Sequence, residues 1–155
     1  MVFDVNVFID AVVGRDSTFP LITEVPPTTG NAAADAFSLA YDAETFSLFT
    51  SPHIVSNSAR VLGLKGIEKE TSAGVAELLL EIVQLSGGSI VEPDRTVFDV
   101  ADYEDNLILD LVKAVDAHLL ITSDKDLLQL NPWNGRLVMT PRDFVGYAVR
   151  LKARY

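Results

Sequence analysis

Acidic residues stand where predicted strands end and where predicted helices begin. Asp4 interrupts the apolar N-terminal segment, Asp105 stands near the start of a later helical segment, and Asp124 directly follows the apolar run HLLIT. In open parallel α/β sheets, ligands bind beyond the carboxyl ends of the strands. We therefore expect these three carboxylates to converge at one edge of a sheet.

Such a convergence of acids has a defined chemistry. Carboxylates without cationic partners raise one another's pKa, and proteins usually neutralise such a cluster with a metal ion. Oxygen-only ligands favour a hard ion, so the expected cofactor is Mg²⁺ or Mn²⁺. Bound in this way, a hard ion suits hydrolysis of a phosphodiester bond. The predicted metal ligands and catalytic residues are Asp4, Asp105 and Asp124.

Each acid also has an interpretation without catalysis. Asp105 and Asp124 precede or begin helical segments, where a carboxylate caps backbone N–H groups. Asp126 suits the first turn of the helix that follows Asp124. Asp4 differs from the others, because an acid inside an apolar strand costs free energy unless it is paired.

Four further polar residues are auxiliary candidates. Asn6 either fixes a turn at the end of the first strand or donates a hydrogen bond that orients Asp4. Thr122 and Ser123 either cap the next helix through their hydroxyl groups or contact a phosphate. Asp102 adds another acid at the start of the later helix.

The elements that position these residues alternate between strands and helices. This alternation predicts a three-layer α/β/α sandwich with a central, mainly parallel sheet. The expected strands are residues 1–7, 45–50, 89–93, 118–122 and 136–140. Residues 15–30 contain three prolines and several turn formers, so a long surface loop is expected there.

Length and composition fit a single domain over residues 1–155. Hydrophobic residues make up 48% of the chain and charged residues 22%, which is typical of a globular protein. Cysteine is absent, which excludes disulfide scaffolding, thiol catalysis and cysteine-ligated zinc.

The charge and the N-terminus bear on partners and location. No apolar run reaches the length of a membrane span, and the acidic N-terminus does not have the basic region of a secretion signal. A cytoplasmic protein without membrane contact is expected. The net charge of -10 argues against indiscriminate nucleic-acid binding through a basic surface. A metal-dependent nuclease stays compatible with this charge, because its site needs concentrated acids.

Three segments together resemble the PIN domain family, in the subgroup of toxin components of toxin–antitoxin pairs. They are FDVNVF, DYEDNLILDLVKAVDAHLLITSDKDLL and the closing RLVMTPRDF, and the likeness covers nearly the whole chain in order. The resemblance implies an acidic pocket that binds Mg²⁺ or Mn²⁺ and hydrolyses single-stranded or structured RNA. It also implies a homodimer whose pocket is covered by a cognate antitoxin.

The family's acids carry over onto particular positions. Asp4 matches the acid of the first strand, and Asp105 matches the acid that heads the later helix. Asp124 matches the acid after the fourth strand, with Asp126 as an auxiliary. These matches repeat the three acids chosen from the residues themselves, and the resemblance adds Asp126 as a further metal ligand.

One family acid has no counterpart in this chain. The family places a glutamate on the helix after strand two, and the matching position here is Asn57 or its neighbour Ser56. Asparagine offers Mg²⁺ a carbonyl oxygen but no charge, so we expect weaker metal binding and reduced activity. The alternative function is a PIN-like fold with weakened or lost catalysis that acts as an RNA- or protein-binding module.

A phosphatase of the haloacid dehalogenase type is a third hypothesis, with Asp4 as the nucleophile. That group requires a second aspartate two residues further on, where this chain has Asn6. The phosphatase group also requires a lysine and a cap, so the phosphatase hypothesis has weaker support than the nuclease hypothesis.

Overall fold

The computed structural model describes residues 1–14, 30–42 and 44–154, and seven helices lie within them. They are α1 (Val5–Val13), α2 (Ala32–Tyr41), α3 (Pro52–Leu64), α4 (Lys69–Leu85), α5 (Tyr103–Ala114), α6 (Lys125–Leu128) and α7 (Pro141–Lys152). None of these helices is both long enough and apolar enough to cross a membrane. The loop expected over residues 15–30 lies, apart from Gly30, outside the described residues.

Three strands form a parallel sheet, in the order β1 (Val2–Phe3), β2 (Leu119–Ile121) and β3 (Leu137–Met139). Phe3 pairs with Ile121, and Ile121 pairs with Met139. Because the last residues of the three strands are paired with one another, all three strands end at the same edge of the sheet. The predicted α/β/α sandwich with a mainly parallel sheet is confirmed.

The first strand is shorter than the prediction of residues 1–7. It ends at Phe3, because Asp4 is the N-cap of α1 and its side chain accepts the N–H of Val5 at 2.6 Å. The acid therefore stops the strand and starts the helix. Asn6 consequently lies in the first turn of α1 and not at the end of a strand.

Two predicted strands, residues 45–50 and 89–93, are reduced to isolated parallel bridges. The N–H of Leu48 donates to the hydroxyl of Ser86 at 2.9 Å and not to a neighbouring strand. Since a side chain takes this backbone donor, the ladder of hydrogen bonds does not run through the segment. The bridge of Phe49 to Val2 still holds residues 45–50 alongside β1.

An aromatic cluster at the centre of the core fixes β1 against the helices. Phe3 makes edge contacts with Phe37 of α2 and Phe144 of α7, with ring centroids 5.4 and 6.1 Å apart. Phe8 of α1 contacts Phe37 at 4.9 Å. Burying each such ring contributes about 1.5–3 kcal/mol to stability. The end of β1, and with it Asp4, is thereby held in one position.

Candidate active site

A buried hydrogen bond joins the ends of β1 and β2. The Thr122 hydroxyl donates to Asp4 Oδ2 at 2.6 Å, across a sequence separation of 118 residues. The same hydroxyl accepts the N–H of Asp124 at 3.0 Å. Thr122 is fully buried, and Asp4 is only 7% exposed. One hydroxyl group therefore links two of the three acids that were predicted to converge.

Asn6 completes this link from the first turn of α1. Its Nδ2 donates to Asp4 Oδ2 at 2.9 Å and approaches Thr122 Oγ1 at 3.4 Å. Its Oδ1 accepts the N–H of Ser123 at 3.1 Å. Of the two interpretations of Asn6, the structure has the one in which it orients Asp4. Ser123 takes part through its backbone, and the side chain of Thr122 holds an acid instead of capping a helix.

The capping interpretation holds for Asp124 and not for Asp105, whose helix is capped by Asp102. Asp124 is the N-cap of α6, and its Oδ1 accepts the N–H of Asp126 at 2.7 Å. Asp102 is the N-cap of α5, and its Oδ1 accepts the N–H of Glu104 at 2.7 Å. Asp105 lies in the first turn of α5 and is not the cap. Capping and membership of the acid cluster are therefore compatible, because each cap uses one carboxylate oxygen.

The acids lie close enough to perturb one another. The pKa of Asp105 is raised to about 7, first by burial and then by the charges of Asp124, Asp102, Asp4 and Asp126. Burial also raises the pKa of Asp4, although the hydrogen bond from Thr122 opposes that shift. Across the described ranges, no ion pair includes any member of this group. Among the described residues, the negative charge of these acids is therefore not neutralised by an ion pair.

The donor chemistry of this group is that of a site for a hard divalent cation, because every side-chain donor is a carboxylate oxygen. Among the described residues, no three acidic or histidine side chains are yet arranged as a metal-binding group. Asp4 Oδ1 and Asp124 Oδ1 each accept a backbone N–H, and Asp4 Oδ2 accepts hydrogen bonds from Asn6 and Thr122. The residues that would hold a divalent cation here are Asp4, Asp105 and Asp124, each through carboxylate oxygen.

A carboxylate from α5 contacts α3, the helix without an acid. Glu104 Oε2 accepts a hydrogen bond from Asn57 Nδ2 at 3.3 Å and lies 2.5 Å from His53 Nε2. Asn57 Oδ1 accepts two hydrogen bonds from Arg60, at 3.0 and 2.6 Å. The Asn57 carbonyl oxygen, which the sequence suggested as a metal ligand, therefore already accepts hydrogen bonds from Arg60. The sequence analysis did not predict these contacts of Glu104, because the sequence shows only the helical spacing of His53 and Asn57.

A cavity of about 440 Å³ lies at the same edge of the sheet and is lined in part by Ser123, Thr140 and Arg142. Thr140 follows β3 and caps α7, and Arg142 lies in the first turn of that helix. Ser123 therefore borders both the cavity and the acids. Arg142 places a cation near the acidic edge without pairing with the acids themselves.

Comparison with known proteins identifies the family of the chain. A family model described as PIN domain matches residues 1–126, a range that includes Asp4, Asp102, Asp105, Asp124 and Asp126. No curated protein and no solved structure matches the chain. Because the family model covers 126 of the 155 residues, the chain belongs to the PIN domain family.

Proposed function

We propose that this protein is a metal-dependent endoribonuclease that hydrolyses RNA phosphodiester bonds, folded as one domain over residues 1–155. Membership of the PIN domain family supports a nuclease-type function. The observation that carries the proposal is the meeting of Asp4, Asp105 and Asp124, from three separate elements, at one edge of the sheet. A protein that gathers uncompensated acids in this way has a site suited to a divalent cation.

Each polar residue at this edge has a proposed role. Asp4, Asp105 and Asp124 are the proposed catalytic residues and metal ligands, with Asp126 as a further ligand. A Mg²⁺ or Mn²⁺ ion bound there would act as a Lewis acid on the phosphate and would lower the pKa of a water molecule bound to the ion. Asn6 and Thr122 orient Asp4 through its Oδ2 atom.

Asp102 and Ser123 have supporting roles in the same proposal. Asp102 caps the helix that carries Asp105 and adds negative charge beside it. Ser123 borders both the acids and the cavity that contains Arg142, which makes it a candidate contact for a substrate phosphate. The positive charge of Arg142 favours the same phosphate.

A second function, an RNA- or protein-binding module with weakened or lost catalysis, is favoured by α3. This helix contains no acid, and Arg60 occupies the Asn57 carbonyl oxygen. With one charge fewer than the family pattern, metal binding is expected to be weaker and the enzyme attenuated.

The resemblance to toxin components supports a more specific proposal. We infer that the protein is the toxin of a toxin–antitoxin pair, acts in the cytoplasm as a homodimer, and is inhibited by a cognate antitoxin. An adjacent open reading frame that encodes a small DNA-binding protein would support this proposal. Light scattering of the purified chain tests the dimer, and a monomer at all concentrations would contradict it.

Asp4→Asn and Asp105→Asn are each expected to lower the rate of Mn²⁺-dependent cleavage of a fluorescent RNA by at least about a hundredfold. Each change removes a charge from the group that would hold the metal ion. The matched control is Asp94→Asn, an exposed acid outside this group, which is expected to cleave at the wild-type rate. Full cleavage by both site variants would contradict the proposal.

Calorimetric titration with Mn²⁺ separates the nuclease from the binding module. The nuclease predicts heat of binding for the wild type that is lost in Asp4→Asn, because the negative charge of one ligand has been removed. Absence of binding to the wild type even at millimolar metal would instead favour the binding module.

The stability of the metal-free protein is expected to fall as the pH rises from about 4 to about 7. The pKa of Asp105 is about 7 in the folded chain against an ordinary value of 3.8, so the folded state retains this proton at higher pH than the unfolded state. Asp105→Asn removes this dependence and is expected to be more stable than the wild type at pH 8 by about 1–2 kcal/mol, allowing for solvent screening.

This difference is expected to vanish at about pH 4, below which Asp105 is protonated in both states. Urea unfolding in EDTA at the two pH values measures it. Asp94→Asn serves again as the control for an exposed acid. A stability difference that is equal at both pH values would show that crowding of charge around Asp105 is not its cause.

Thr122→Val tests the hydroxyl that joins Asp4 to Asp124. Valine has nearly the same shape but leaves both partners with one hydrogen bond fewer, at an expected cost of about 1–3 kcal/mol in stability. Cleavage is expected to fall about tenfold or more, because a residue that orients a metal ligand is lost. Thr122→Ser retains the hydroxyl and is expected to recover most of the activity; equal losses in both variants would contradict this role.

A further inference from the structure

Two exposed aromatic rings and an arginine lie just before and at the start of α5, and the arginine contacts one of the rings. Phe98 is 74% exposed and Tyr103 is 60% exposed. The guanidinium carbon of Arg95 lies 4.2 Å from the centroid of the Tyr103 ring. We call Arg95, Phe98 and Tyr103 the aromatic platform.

A buried carboxylate holds the N-terminal side of the platform. Asp110 of α5 is 1% exposed, and its Oδ1 accepts the N–H of Thr96 at 2.8 Å and the N–H of Val97 at 2.7 Å. Its Oδ2 accepts a hydrogen bond from Arg95 Nε at 3.2 Å. Because hydrogen bonds to a buried charged group are strong, this segment is firmly attached to α5.

Side-chain hydrogen bonds hold the C-terminal side as well. Trp133 Nε1 donates to Asp99 Oδ2 at 2.8 Å. Asn106 Nδ2 donates to the carbonyl of Val100 at 2.8 Å, and Asn106 Oδ1 accepts the N–H of the same residue at 3.2 Å. Val97 and Asp99, the two neighbours of Phe98, are therefore both held by hydrogen bonds. The Phe98 ring is therefore exposed on a segment whose chain is held in place on either side.

The platform adjoins the acids. Tyr103 follows Asp102 directly and is the first residue of the helix that carries Asp105. Phe98 precedes Asp102 by four residues, which limits their backbone separation to roughly 14 Å. A strand bound across the acids would therefore extend over the platform within a few nucleotides.

We infer that the aromatic platform binds the bases of single-stranded RNA by stacking, next to the site of cleavage. This inference rests on the proposed function. Exposed aromatic rings and arginine planes stack on any unpaired base, and such contacts do not need a basic surface. They suit a protein whose net charge is -10, because this charge weakens attraction to the phosphate backbone. Bases inside a duplex are already stacked, so the platform selects unpaired segments.

Fluorescence anisotropy with a labelled single-stranded oligoribonucleotide tests the inference, using the full chain in EDTA to prevent cleavage. Phe98→Ala is expected to raise the Kd roughly 5- to 150-fold, the range for loss of one stacked base. Phe98→Trp is expected to bind at least as tightly as the wild type. The matched control is Leu64→Ala, because Leu64 is a similarly exposed apolar residue, at 75%, on α3.

Three further measurements identify stacking as the cause, and a fourth checks that the variant is folded. The slope of log Kd against log salt is expected to be the same for wild type and Phe98→Ala, because no phosphate contact is lost. An oligoribonucleotide with an abasic site at the contacted position is expected to bind equally well to both proteins. Affinity for duplex RNA is expected to be unaffected by the substitution. Thermal unfolding confirms that Phe98→Ala remains folded, as expected for an exposed side chain.

Wild-type affinity in Phe98→Ala, or an equal loss in Leu64→Ala, would overturn the inference. So would a change in oligomeric state alone, which would assign the surface to a protein contact. If the protein cleaves RNA but its affinity for RNA does not depend on Phe98, the aromatic platform is contradicted and the proposed nuclease is not. If the affinity for RNA depends on Phe98 but no Mn²⁺-dependent cleavage is found, the proposed nuclease is contradicted and the aromatic platform is not.

Discussion

The hydrogen bond from Thr122 to Asp4 is the interaction on which the arrangement of the acids depends. It is buried, and it connects the first strand to a strand more than a hundred residues later in the chain. A buried carboxylate costs free energy unless its oxygens have partners, and Asp4 has three, from Val5, Asn6 and Thr122. The position of Asp124 follows, because its N–H donates to the same hydroxyl.

Helix capping explains how the fold tolerates so many acids at one edge. Asp4, Asp102 and Asp124 each begin a helix and accept backbone N–H groups there. These contacts, together with the positive ends of the helices, offset part of the repulsion between the carboxylates. Asp105 is not a cap, and its pKa is raised to about 7. The remaining unfavourable charge is thus concentrated where a divalent cation would relieve it most.

The surroundings of the acids bear on two points of the proposed function. Glu104 contacts α3 through Asn57 and His53, so a carboxylate lies beside a helix that has none of its own. In the proposed function, affinity for RNA comes from local groups and not from the overall charge. Arg142 beside the cavity and the aromatic platform of Arg95, Phe98 and Tyr103 are those groups.

Local sequence patterns determined the class of fold, the central strands and the acids of the proposed site, because apolar runs and the residues that cap helices depend on neighbours in the chain. Even so, the extent of the first strand was overestimated, since Asp4 was not recognised as a cap. Only the tertiary structure decided that Thr122 donates a hydrogen bond to Asp4, that Asn57 donates one to Glu104, and that Phe98 stays exposed. Each of these outcomes depends on contacts between segments distant in sequence or on the burial of a particular side chain, and the periodicity of a sequence contains no record of either.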